Sequence, residues 1–124
     1  MDARTALIKL LSSTLVHRRD RYVELASKPK TQNKFLNEFY HRLAECFDRR
    51  KVVSELPEDA WRSPAYVFEP PSTFGTRKES LRRAHQDARE AYLLVTEDGR
   101  FAVHMPEDRV DDTLFLRVED PVRP

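Results

Sequence analysis

The segment from Tyr92 to Met105 constrains this chain more than any other. Tyr92–Thr96 and Phe101–Met105 are two apolar-rich runs separated by Glu97-Asp98-Gly99-Arg100. An Asp-Gly pair between two such runs predicts a β-hairpin, with Asp98-Gly99 as a type I′ turn. In that register Tyr92 faces Met105, Leu94 faces Val103 and Thr96 faces Phe101 on one side. Leu93, Val95, Ala102 and His104 take the other side, because side chains alternate along a strand. Both sides are largely apolar, so the hairpin is expected at the centre of its sheet. Two further strands are predicted. One runs over Ala65–Glu69 and is closed by Pro70-Pro71; the other covers Thr113–Val118, with Leu114, Leu116 and Val118 on one face.

The first half reads differently. Asp2 is placed to cap a helix, and Leu7, Leu11, Leu15, Tyr22 and Leu25 then recur near the 3.6-residue period. This predicts one amphipathic helix of about six turns, ended by Ser27-Lys28-Pro29. Thr31 is expected to cap a second helix, whose stripe is Phe35, Leu36, Phe39, Tyr40, Leu43, Cys46 and Phe47. The short connection makes the two antiparallel neighbours. Pro57 to Trp61 predicts a short helical turn stopped by Pro64. Thr76 with Glu79 has the spacing of a capping box for a third helix, with a narrow stripe of Leu81, Ala84, Ala88 and Ala91.

A chain of 124 residues has room for one hydrophobic core. The expected fold is therefore a single α+β domain in two layers. An N-terminal antiparallel helical hairpin, within a helical region over residues 1–52, and a third helix would pack on a small antiparallel sheet of three to four strands. The mixed strand and helix region spans 65–118, Glu107–Asp112 is a polar loop, and 119–124 is expected to fray.

Composition narrows the chemistry. One cysteine, Cys46, permits no intramolecular disulfide and no cysteine-based zinc site. Two glycines in the whole chain cannot build a glycine-rich phosphate loop, which sets aside nucleotide enzymes of the P-loop or Rossmann type. There is no G-x-S-x-G, and Cys46 falls in an apolar stripe, as an inert thiol does. No apolar run approaches the ~18 residues of a membrane span, and no signal segment opens the chain, so a cytoplasmic location is the default. Arg outnumbers Lys 16 to 6, which points to a GC-rich bacterial coding sequence.

The net charge of +1 hides a gradient. Residues 1–53 carry 12 Lys and Arg against 6 Asp and Glu, whereas residues 93–124 carry 4 against 8. Such asymmetry marks either an anionic partner or two halves that match each other, and the internal match is preferred. Glu38, His41 and Glu45 resemble a metal-binding helix pattern, but they lie opposite the apolar stripe and point to water. Arg18 falls inside the stripe of the first helix, so it must snorkel out, be paired, or mark a helix break near His17–Arg21. His104, Glu107, Asp108, Asp111 and Asp112 lack the spacing of a cation loop. His85 lies at the edge of the alanine stripe and is expected to pack.

No metal or cofactor is expected. The leading expectation is a non-enzymatic protein-binding module, of the accessory or immunity type, or a self-associating domain acting as a homodimer. Exposed aromatics near Trp61, Phe74 or Tyr66 would serve it. The first alternative is nucleic-acid binding through Arg18, Arg19, Arg21 and the Arg77, Arg82, Arg83 cluster, if these share one surface. The second is a small hydrolase in which a histidine meets a carboxylate in a cleft.

Overall fold

The computed structural model describes residues 1–88, 92–106 and 112–118. Helix α1 (Ala3–Thr14) starts where the sequence places it, with the Asp2 carboxylate accepting from the Thr5 N–H at 2.8 Å. It does not run for six turns. The backbone leaves the helix at Leu15, Arg18 adopts a left-handed conformation at φ 57°, and α2 (Arg19–Ser27) begins afresh. The reason is a competing set of backbone partners. The Val16 N–H donates to Cys46 O at 2.9 Å and the Asp48 N–H to Thr14 O at 2.6 Å, so Leu15 and Phe47 pair as a small bridge.

The break turns α2 back along α1. Arg4, in the first turn of α1, donates to Ala26 O in the last turn of α2 at 2.7 Å. Helix α3 (Gln32–Cys46) follows a 3₁₀ turn at Pro29–Thr31, and its Phe35, Leu36, Phe39, Leu43 and Cys46 are buried. The expected hairpin is thus a cluster of three helices. Thr31 precedes α3 but does not cap it, because its hydroxyl donates back to Leu25 O at 2.8 Å.

Among the described residues the sheet has six antiparallel strands rather than three or four: β1 (Val52–Val53), β2 (Ala65–Glu69), β3 (Thr73–Lys78), β4 (Tyr92–Thr96), β5 (Phe101–Met105) and β6 (Leu114–Arg117). Their spatial order is β1-β6-β5-β4-β2-β3, which puts the β4–β5 hairpin in the centre as expected. Its register also matches, with Tyr92 opposite Met105, Leu93 opposite His104 and Leu94 opposite Val103. The turn is not type I′. That type needs positive φ at both central residues, and here Gly99 has it (φ 73°) while Asp98 does not. Instead the Asp98 carboxylate accepts from the Thr96 hydroxyl and the Arg100 N–H, which holds a four-residue loop.

Thr76 belongs to β3, so the expected capping box does not form. Ser80 caps α5 (Leu81–Asp87), accepting from the Arg83 N–H at 3.1 Å. This helix and α4 (Glu58–Arg62) pack on the face of the sheet opposite α1–α3. The fold therefore has three layers. Leu93, Val95, Ala102 and Leu116 meet the three-helix cluster, whereas Leu94, Val103, Phe101 and Met105 meet α4 and α5. Ala91, most of the loop after Pro106 and the last six residues lie outside the described residues, as do Glu107, Asp108 and Asp111.

Candidate functional site

The charged residues singled out by sequence are mostly engaged within the fold. Arg19 donates twice to Leu15 O, through Nε at 2.8 Å and Nη2 at 2.6 Å, and so caps the broken end of α1. Arg21 forms a two-pronged pair with Glu38 that ties α2 to α3 and holds that carboxyl below its usual range. Arg77 bonds Glu97 at 3.0 Å, fastening β3 to the hairpin loop. Arg82 bonds Glu58 at 2.6 Å and lies 5.9 Å over the Trp61 ring. Arg18 is exposed at the start of α2, so of the three alternatives for it the helix break is the one the fold adopts.

Two basic clusters do come together. The pairing of Thr14–Val16 with Cys46–Asp48 brings His17–Arg21 and Arg49–Lys51 to the same end of the molecule. Arg82 and Arg83 lie on α5, in the opposite layer. The aromatics are likewise divided. Trp61 is half-buried against His85 and Phe115 on the α4–α5 side. Phe74 is half-buried on the helical side, edge-on to Phe68 and under the Arg4 guanidinium. Tyr66 is buried, its hydroxyl donating to Met1 O at 2.6 Å. Val16, at the helix break, is 46% exposed.

A recess of about 530 Å³ opens where α3 passes the ends of β5 and β6. Helix α3 supplies Phe39, Tyr40, His41, Arg42, Ala44 and Glu45, and the turn beyond it supplies Arg49. The opposite wall is His104, Pro106, Asp112, Thr113 and Leu114. This volume is in the range of a small-molecule or side-chain pocket, but the lining is more polar and charged than most such pockets.

His104 is the unusual member. It sits on β5 between Leu93 and Leu114, on the face under α3. The rings of Phe39 and Phe47 meet it edge-on, with centroids 5.9 and 5.7 Å away. The residue is 3% exposed, and its Nδ1 is sealed from solvent with no hydrogen-bond partner among the described residues. Burial pushes its pKa down to about 4, so the ring is neutral at neutral pH. Alternation along β5 assigns His104 to an apolar face, and a histidine at such a position is the sequence signal for this site. The recess itself needs α3 and β5 to meet, which no local pattern reveals.

Cys46 is buried beside this region, its thiol donating to Arg42 O at 3.5 Å, and burial raises its pKa. No group of three metal-ligating side chains forms among the described residues. No helix among them is long and apolar enough to cross a membrane. No protein family, curated protein or solved structure matches the chain.

Proposed function

We propose that the protein is a non-enzymatic binding module that engages another protein, and that the recess between α3, β5 and β6 receives a side chain or chain end of that partner. The observation that supports this reading is the open recess of about 530 Å³, in which Phe39 and Tyr40 of α3 stand beside charged side chains from α3 and the β5–β6 end. Buried polar groups are normally satisfied, so the sealed Nδ1 of His104 behind this wall is a local cost that the fold carries, not a contact point for the partner. The partner's identity is open to a direct test. A photo-crosslinking residue in place of Tyr40 should capture a partner, whereas one in place of Lys28, at the far end of the helical layer, should not. Equal capture from both positions, or from neither, would refute the assignment.

A hydrolytic reading has one observation in its favour: His41 and His104 share the recess with Glu45 and Asp112. It ranks second for two reasons. A general base works best with a pKa near the working pH, and that of His104 lies near 4. A catalytic histidine is also oriented by a carboxylate on its other nitrogen, and Nδ1 has no such partner among the described residues. Turnover of ester substrates that disappeared in His104→Phe would reverse the ranking. Nucleic-acid binding has less support, because Arg19, Arg21, Arg77 and Arg82 are engaged internally and sit in different layers. Affinity for duplex DNA that fell steeply with salt would restore it.

A further inference from the structure

His104 is a titratable ring in a slot that has no place for its charge. It is buried, its Nδ1 is sealed with no partner among the described residues, and Phe39 and Phe47 meet it edge-on. An imidazolium carries a proton on both nitrogens, so it would set an unpaired N–H and a net charge among apolar groups. The ring avoids that state by staying neutral or by the walls of its slot moving apart.

Those walls are held in different ways. One is the sheet, where His104 on β5 lies between Leu93 of β4 and Leu114 of β6 in paired strands. The other is the second half of α3 with the residue that follows it, which bring Phe39 and Phe47. Hydrogen bonds tie α3 to its neighbouring helices: Arg4 to Gln32, Arg21 to Glu38, and the Val16 N–H to Cys46 O. Against β5 it sets the Phe39 ring, and the recess already parts its outer side from the ends of β5 and β6. Helix α1, by contrast, is fastened to the sheet. Lys9 donates to Asp98 O at 3.0 Å, and the Tyr66 hydroxyl on β2 donates to Met1 O at 2.6 Å.

The charged and titratable groups near this slot lie along the recess: Tyr40, His41, Arg42 and Glu45 on α3, Arg49 on the turn after it, and Asp112 beside β6. Cys46 ends α3, and burial pushes its pKa up. Glu45 and Asp112 are the acceptors that a freed ring would find.

We propose that the second half of α3 is an acid-released cover: protonation of His104 parts this helix from β5 and opens Phe39 and Phe47 to water, while α1 and the sheet stay in place. This goes beyond the binding role proposed above and holds whether or not the recess has an occupant. The covered ring has a pKa of about 4 and a freed one about 6.5, so opening becomes about 20-fold more favourable from pH 7 to pH 5.

Amide hydrogen exchange of the whole chain and of His104→Phe at these two pH values, corrected for the intrinsic pH dependence of exchange, tests this. At pH 5 the amides of Phe39–Cys46 should be at least about tenfold less protected than those of β4. Between pH 7 and pH 5 they should lose about 20-fold in protection. Trp61 fluorescence, which reads the opposite face of the sheet, should stay native at pH 5. His104→Phe keeps an aromatic ring between Phe39 and Phe47 and should remove most of that loss. Equal protection of α3 and β4 at pH 5 would mean that the fold opens as a whole, and would overturn the proposal. A loss at α3 that persists in His104→Phe, or no loss in the unaltered chain, would do the same. Should the variant fail to fold, NMR of the unaltered chain decides: the Phe39 and Phe47 ring signals should shift with the midpoint of the His104 ring, and unrelated midpoints would refute the release.

Discussion

One face of the sheet lies under helices of 12, 9 and 15 residues, and the other under helices of 5 and 7. The long helices bring Tyr22, Phe35, Phe39 and a row of leucines to their side, and the short ones bring Ala60, Leu81 and Ala84 to theirs. The better-covered face is also the less comfortable one. Both sealed, unpartnered polar atoms found among the described residues, Tyr22 Oη and His104 Nδ1, belong to it. So do the left-handed Arg18 and the tight approach of β3 to α1 at Gly75. The difference teaches that the larger core tolerates strain and unpaired polarity that a small one could not, and the recess sits where that tolerance is used.

Truncating a large side chain on each face tests the first half of that comparison. Phe35→Ala should lower unfolding stability by about 3–5 kcal/mol and Leu81→Ala by about 2–5 kcal/mol, read from urea titrations. A larger loss at Leu81 would place the main share of stability under the short helices and break the argument.

The next largest effect is a pH dependence. The pKa of His104 is about 4 in the folded chain and near 6.5 when unfolded. As pH falls below 6.5 the unfolded chain takes up a proton that the folded chain refuses until about pH 4, so stability is lost across that window. The loss between pH 7 and pH 4 should be about 3 kcal/mol. The carboxylates with lowered pKa, Asp2, Glu38, Asp48 and Glu58, act in the same direction but at lower pH. His104→Phe isolates the histidine, and its stability should be flatter from pH 7 to 4 by that amount. Parallel curves for the two proteins would mean that the helical face carries no buried titratable strain.

Gly75 and Arg18 sharpen the same point on a smaller scale. A Cβ at Gly75 would lie 2.5 Å from the Ala3 Cβ, at φ 80°. Gly75→Ala should therefore cost about 2 kcal/mol, with some of it recovered by adding Ala3→Gly, as a double-mutant cycle would show. Arg18→Gly relieves a left-handed side-chain residue and should stabilise by about 1 kcal/mol in thermal melts. No gain there would mean that Arg18 has a compensating contact worth as much as its strain.

What the residues reveal on their own follows from the range of the forces involved. The β4–β5 register, the α3 stripe, the Pro57 turn and the β2 strand are set by alternation, periodicity and proline, all local. The break after Thr14 is hidden because Leu7, Leu11, Leu15, Tyr22 and Leu25 keep a helical period across it. Both helices face one core, and the pull that parts them comes from Cys46 and Asp48, some thirty positions on. Strand β3 escapes notice because an edge strand of Thr, Phe, Gly, Thr, Arg and Lys needs little apolar character, and its Thr76–Glu79 spacing imitates a cap. Strand β1, two residues long, has no pattern to read. His104 is legible as a residue of an apolar face, but its neighbours Arg42, Arg49 and Tyr40 meet it only through tertiary packing.

The two ends of the sheet have unequal exposure to misassembly. At one end β1 offers two residues against Leu116 and Phe115, too short to template another strand. At the other, β3 presents a six-residue edge. Lys78 adds positive charge at its end, where Arg77 is tied to Glu97, and an irregular register opposite Val67–Phe68 interrupts its regularity. Like charge and a kinked edge are how sheets resist growing into one another. Neutralising Lys78 while keeping the Arg77–Glu97 pair is thus the change most apt to turn a clear preparation into an aggregating one.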